Sequence, residues 1–139
     1  QLLCNARKKS VGDLEQRNIF ELPLNQYAST YSTGMKKKLA LTAILMQENE
    51  VFILDEPFNG VDIQSNIIIT QLIQKLKEMG KTILISSHIF STLNETCDEI
   101  HLMEKGVFEK RVLKPDFGKM ENEMRDFIVG DKLEMLDLK

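Results

Sequence analysis

Asp55 and Glu56 are the residues of this chain best suited to chemistry. They close the apolar run Val51-Phe52-Ile53-Leu54, and Pro57 follows them. A short unbroken apolar run is the pattern of a strand buried on both faces, as in a parallel sheet. Ligands of open α/β sheets bind outside the carboxyl ends of the strands, so the two acids stand where a ligand would. Adjacent carboxylates there suit a hard cation and a general base. The plainer alternative is that one of them only caps the next turn. His88 follows a second apolar run, Thr82-Ile83-Leu84-Ile85-Ser86, again at a strand's carboxyl end.

A third feature is Ser32-Thr33-Gly34, which leads into Met35-Lys36-Lys37-Lys38 and a helix-forming run to Met46. Small polar residues and a glycine before such a run mark a helix start. Three lysines in the first turn oppose the macrodipole, which prefers negative charge there. A bound anion would offset this, because exposed backbone N–H groups and added positive charge make a phosphate site. The alternative is that the three side chains simply reach water.

One chemistry accommodates all three features. Asp55 would hold Mg²⁺ largely through water, since that ion keeps much of its hydration shell. Glu56 would orient or deprotonate an attacking water, and His88 would donate to a phosphate oxygen. Phosphoryl transfer needs positioning and charge neutralisation more than covalent chemistry. The usual phosphate-cradling loop, G-x-x-x-x-G-K-[ST], is absent from the sequence. Gly80-Lys81-Thr82 comes nearest, but Lys75 stands where the earlier glycine belongs.

The elements that must position these groups follow in chain order. Residues 1–24 carry a weak helical pattern in Leu14, Ile19, Phe20 and Leu22, closed by Pro23, and predict one or two short helices. Residues 25–31 read as a polar connector whose hydroxyls face water. After the strand at 51–54, residues 58–62 form a turn, and Asp62 is a good N-cap for a helix from about Ile63 to Met79. Its expected stripe is Ile63, Ile67, Leu72, Leu76 and Met79, thickened by Ile68, Ile69 and Ile73. Gly80 is a fitting stop. Strand, helix and strand at this spacing make a parallel βαβ unit. A short helix from about Ile89 to Cys97 follows. The alternating Glu99–Glu104 and the return Val107–Arg111 form an antiparallel hairpin at the sheet's edge, with His101 on the surface. From Pro115 onward, Phe117, Met120, Met124, Phe127 and Ile128 keep helical spacing.

Size and composition bound the rest. The chain has 139 residues, 42% hydrophobic and 28% charged, with a formal charge of −3. That is ordinary for one soluble globular domain or a piece of one, and the acidic balance argues against a nucleic-acid partner. The 2 cysteines, Cys4 and Cys97, lie far apart without metal-ligand spacing, which suits buried thiols in a reduced, cytosolic chain. No run approaches the roughly 18 apolar residues of a membrane span, and no secretory signal opens the chain. It begins at Gln1 rather than Met, as a fragment or processed chain would.

With these residues in view, the chain resembles the C-terminal part of the nucleotide-binding domain of an ABC transporter, its ATP-binding subunit. Tyr31-Ser32-Thr33-Gly34-Met35 resembles the signature motif L-S-G-G-Q, in an S-x-G-M-K form similar to that of exporter-type ATPases, followed by the family's usual basic helix start. Val51 to Glu56 resembles Walker B with its catalytic glutamate. Asn59-Gly60-Val61-Asp62 resembles the D-loop, and His88 the switch histidine. The likeness runs from Tyr31 to about Arg111, and the ordered set is far more specific than any one motif.

The resemblance implies an α/β, P-loop-NTPase-like fold: a mostly parallel sheet with flanking helices, an antiparallel hairpin near the C-terminus, and no P-loop in this portion. It divides the chain into a helical and signature part (1–46), a catalytic core (47–114) and a C-terminal helix and tail (115–139). It implies ATP and Mg²⁺ as cofactors, a head-to-tail dimer with a second nucleotide-binding domain, and a membrane permease partner. The chain would then lie on the cytoplasmic face of the membrane as a peripheral subunit. Ser32, Thr33, Gly34, Met35 and Lys36 would face nucleotide held by the opposite subunit. Asp55 would serve the metal, Glu56 the water, His88 the γ-phosphate, and Asp62 communication across the dimer.

The departures are Thr33 for glycine, Met35 for glutamine and Tyr31 for leucine. Threonine adds a Cβ where backbone approaches phosphate. Two other readings stand beside this one: a non-transport ABC-type ATPase, and a flavodoxin-like receiver domain with Asp55 as phosphoacceptor. The receiver reading leaves the helix start at Ser32–Lys38 unexplained. The leading reading requires Asp55, Glu56 and His88 to share one crevice, and the helix tip at Gly34 to be open to a second copy.

Overall fold

Between Val51 and Ser86 the chain runs strand, helix, strand. The computed structural model describes residues 15–134. Strand β1 (Val51–Asp55) pairs in parallel with β2 (Thr82–Ser86), and helix α2 (Ile63–Glu78) makes the crossover. The helix before them, α1 (Thr33–Leu45), follows a single 3-10 turn at Ala28–Thr30. Register pairs Val51 with Thr82 and Asp55 with Ser86, so the two strands end level. Contacts group the chain into two compact units, with the boundary in sequence between His88 and Ile89.

In the first unit, Phe52 and Leu54 of β1 turn inward onto Ile69 and Ile73 of α2, with Leu41 of α1 and Phe58 completing the core. The strand is not buried on both faces. Burial alternates along it, and Ile53 is 71% exposed and Leu84 of β2 62% exposed. An all-apolar run lacks the period-2 signal that would say how many faces are covered. The buried residues of α2 are Ser65, Ile69, Thr70, Ile73 and Leu76. Ile63, Ile67 and Met79, expected in the buried stripe, face outward. Both helix ends are as the sequence indicates. Asp62 accepts the Ser65 N–H at 2.8 Å. Gly80, at φ 78°, lets the Gly80 and Lys81 amides reach the Lys77 and Leu76 carbonyls.

Residues 15–24 are turns, not helix; residues 1–14 of that expectation lie outside the described residues. Asn18 explains this, because its side chain accepts the Leu22 N–H at 2.9 Å and donates to the Leu22 carbonyl at 2.8 Å. A side chain bonding the local backbone competes with helix. Phe20 and Leu22 are apolar because they enter the core. Tyr31 also departs from the solvated-loop expectation: its ring is buried and its hydroxyl donates to the Pro23 carbonyl at 2.8 Å.

The second unit comprises α3 (Phe90–Thr96), β3 (Glu99–Glu104), β4 (Val107–Leu113), a 3-10 turn at Lys114–Asp116 and α4 (Phe117–Glu134). β3 and β4 pair only with each other among the described residues, so the hairpin is a two-stranded sheet of its own rather than an edge of the parallel pair. Lys105 and Gly106 both take positive φ, as a tight primed hairpin turn requires. Ile100, Val112, Phe117 and Met120 form its core, with Phe90 edge-on to Phe117. Cys97 packs half-buried against this cluster. His101 lies on the surface, 3.1 Å from Glu99.

Candidate functional site

Because β1 and β2 end level, the residues that follow them meet. Ser86 closes β2 beside Asp55, and its hydroxyl donates to Asp55 Oδ1. The Glu56 amide donates to the Ser86 carbonyl and to Ser86 Oγ, both at 3.1 Å. Glu56 then turns sharply, at φ 46°, a left-handed conformation that non-glycine residues rarely adopt. That turn aims its carboxylate at His88, whose Nδ1 lies 2.9 Å from Glu56 Oε1. Glu56 Oε2 is buried without a hydrogen-bond partner. A buried, unpaired carboxylate oxygen is an acceptor waiting for a donor, since leaving it unpaired is costly. The expected grouping of Asp55, Glu56 and His88 at one rim is therefore present. Ser86, which ties the two acids to the neighbouring strand, was missed in sequence; its signal is a hydroxyl on the last residue of the strand paired with Asp55.

The start of α1 lies against the loop after Glu56. Ser32 is the N-cap and accepts the Met35 N–H at 3.2 Å. The three lysines divide. Lys37 donates to the backbone carbonyls of Glu56, at 3.0 Å, and Asn59, at 2.6 Å. Lys38 pairs with Asp62 Oδ2 at 2.6 Å. Lys38 is thus offset by a carboxylate, whereas Lys37 is held by neutral carbonyls and keeps its charge. Lys36 is exposed beside Ser32 and Thr33.

Gly34 is half-buried, and a Cβ there would stand 2.9 Å from the Gly60 carbonyl oxygen. The helix tip is thus only partly open: one side of Gly34 is closed by its own chain. The glycine is required by that close approach, whatever else it meets.

Asp62 combines two tasks. The Lys38 ammonium, then the Ser65 N–H and hydroxyl, hold its carboxyl well below the usual carboxylate range. It is therefore a fixed negative charge at the junction of α1 and α2.

For a divalent cation, the donors at this rim are carboxylates, which are hard ligands. Among the described residues no three His, Cys, Asp or Glu side chains gather to hold a metal by themselves. Asp55 is exposed and the Ser86 hydroxyl engages one of its oxygens. This donor set fits an ion such as Mg²⁺ that keeps waters and takes further oxygens from phosphates. It does not fit a metal caged by protein.

The family model described as ABC transporter matches residues 6–59. The ABC transporter ATP-binding protein NatA of Bacillus subtilis is 32% identical over 127 residues, 91% of this chain and 52% of NatA. The bacitracin transport ATP-binding protein BcrA of Enterococcus faecalis is 36% identical over 118 residues, 84% of this chain and 36% of BcrA. The chain therefore spans about half of NatA, by its 52% coverage, and less of BcrA. A solved structure described as the ATP binding subunit of an ABC transporter superposes with a TM-score of 0.70 at 24% identity. That match covers 87% of this chain and 53% of the other, and at this identity it speaks for the fold alone.

Proposed function

The chain belongs to the ABC transporter family, and from that premise we propose that it is part of an ATP-binding subunit whose ATP hydrolysis drives membrane transport. Membership removes the receiver-domain alternative. The names of NatA and BcrA favour transport over a non-transport ATPase. Among the described residues no helix is long and apolar enough to cross a membrane. The reading includes a permease, a second nucleotide-binding domain docked head to tail, and a peripheral place on the cytoplasmic face. It keeps residues 1–46 as the part that carries the signature and faces those partners.

The observation that supports this most is the 2.9 Å contact between Glu56 Oε1 and His88 Nδ1, with Glu56 Oε2 buried and unpaired. A water donating to Oε2 would be oriented by Glu56 and would lose its proton to it as it attacks phosphorus. With Glu56 ionised, Nδ1 would donate to it and hold the ring, and Nε2 would be the nitrogen available to substrate. Nε2 donates to a phosphate oxygen while Nδ1 is also donating only when the ring is protonated. Asp55, held by Ser86, would bind Mg²⁺, which supplies charge neutralisation at the phosphates. Ser32, Thr33, Gly34, Met35 and Lys36 would face the nucleotide of the second subunit through the exposed side of the helix tip. Asp62, tied to Lys38, would carry changes at that tip toward α2.

The test is ATP turnover by the full-length protein that carries this chain, compared with its Glu56→Gln variant. A fall of about 10²- to 10⁴-fold is expected from losing a general base, with ATP-dependent dimerisation retained. Equal turnover removes Glu56 from the role given to it.

A further inference from the structure

Lys37 is not explained by nucleotide binding, because its ammonium points into its own chain. It reaches across 19 and 22 residues of sequence to the carbonyls of Glu56 and Asn59. Those two carbonyls bracket a turn that is also closed by the Asn59 N–H on the Glu56 carbonyl at 3.2 Å. Glu56 holds a left-handed backbone there, followed by the buried Pro57. A strained backbone of this kind persists only where its surroundings over-determine it. Fixing the Glu56 carbonyl fixes the peptide plane, and with it the direction in which the side chain leaves toward His88.

Two neighbouring contacts press α1 onto the same loop: Gly34 against the Gly60 carbonyl, and Lys38 on Asp62. Of the three, only the Lys37 contact touches Glu56 itself. We propose that Lys37 is a positioning residue for the hydrolytic step, through which the start of α1 sets the carboxylate of Glu56. The proposal rests on the ATPase reading above. A charged donor shared by two carbonyls is stronger than a neutral one, and it couples a helix that would face the second subunit to the residue that would activate water. Movement of α1 by nucleotide or partner then alters the aim of Glu56 without touching Glu56 directly.

The experiment uses the full-length protein with Lys37→Met, which keeps the apolar stem, and Lys37→Arg, which keeps donors. Steady-state ATP hydrolysis gives kcat and KM, and thermal unfolding reports folding. The expected result is a kcat for Lys37→Met at least tenfold lower at an unchanged KM for ATP. Lys37→Arg recovers most of that loss, and Lys37→Met has no further effect in the Glu56→Gln background. A tether that serves folding alone would instead lower the melting temperature and leave kcat per folded molecule unchanged, and that overturns the inference. Wild-type protein that fails to hydrolyse ATP overturns the ATPase reading and this inference together. Wild-type turnover with an undiminished Lys37→Met overturns this inference alone.

Discussion

Asp62 shows how one carboxylate serves two elements. Oδ1 caps α2 and Oδ2 takes the Lys38 ammonium. Its folded-state pKa lies well below the ordinary 3.8. A depressed value stabilises the folded chain above the ordinary pKa, and that contribution is lost as pH falls through the folded-state value. Asp62→Asn is therefore expected to lower the denaturant midpoint at pH 7, with the gap to wild type narrowing below about pH 4. A gap that stays constant into acid would show that charge is not what Asp62 contributes. Gly34→Ala should destabilise by about 1–3 kcal/mol, the usual range for overpacking, because the new Cβ meets backbone oxygen rather than a side chain that can move. Urea unfolding of the chain measures both.

The cap at Asp62 was legible in sequence, since Asp before an apolar helix needs only local geometry. The Lys38 pair and the Lys37 clamp were not. They depend on how far the loop after Glu56 folds back onto α1, and three consecutive lysines look the same whether they meet water, phosphate or carbonyls. Asp55, Glu56 and His88 could be read because strand ends in a parallel pair bring such residues together by rule. Ser86 could not be singled out without the register.

The elements themselves were legible where punctuation was strong. Asp62 and Gly80 bound α2, and Lys105-Gly106 marks the hairpin. Burial was less so. Isoleucines surround much of α2, so periodicity alone could not say that Ile69 is core while Ile63 and Ile67 face outward. On β1 the unbroken apolar run concealed an exposed face. These assignments separate two substitutions of the same residue type. Ile69 is fully buried, at 0% exposure, and Ile69→Ala should cost about 2–5 kcal/mol. Ile53→Ser, on the open face of β1, should stay within about 0.5 kcal/mol in this chain. Chemical denaturation distinguishes the two, and a large loss at Ile53 would mean that the face is covered. Over residues 15–24 the expected helix is absent for a local reason, because Asn18 ties up the Leu22 backbone.

For the molecule as a whole, the chain covers 52% of NatA and contains no G-x-x-x-x-G-K-[ST] loop. The 139-residue chain by itself is accordingly expected to release no phosphate from ATP, and turnover by it would show that nucleotide is cradled in some other way. In the full-length protein, Glu56 and His88 should behave as one unit, since they are joined at 2.9 Å. The most direct measurement is kcat for ATP hydrolysis by Glu56→Gln, His88→Ala and the double variant. Residues that act together are strongly non-additive. The double variant should therefore be about as slow as the slower single one. Independent, multiplicative losses, or single variants that turn over as fast as wild type, would contradict the proposal that this carboxylate and this imidazole form the hydrolytic centre.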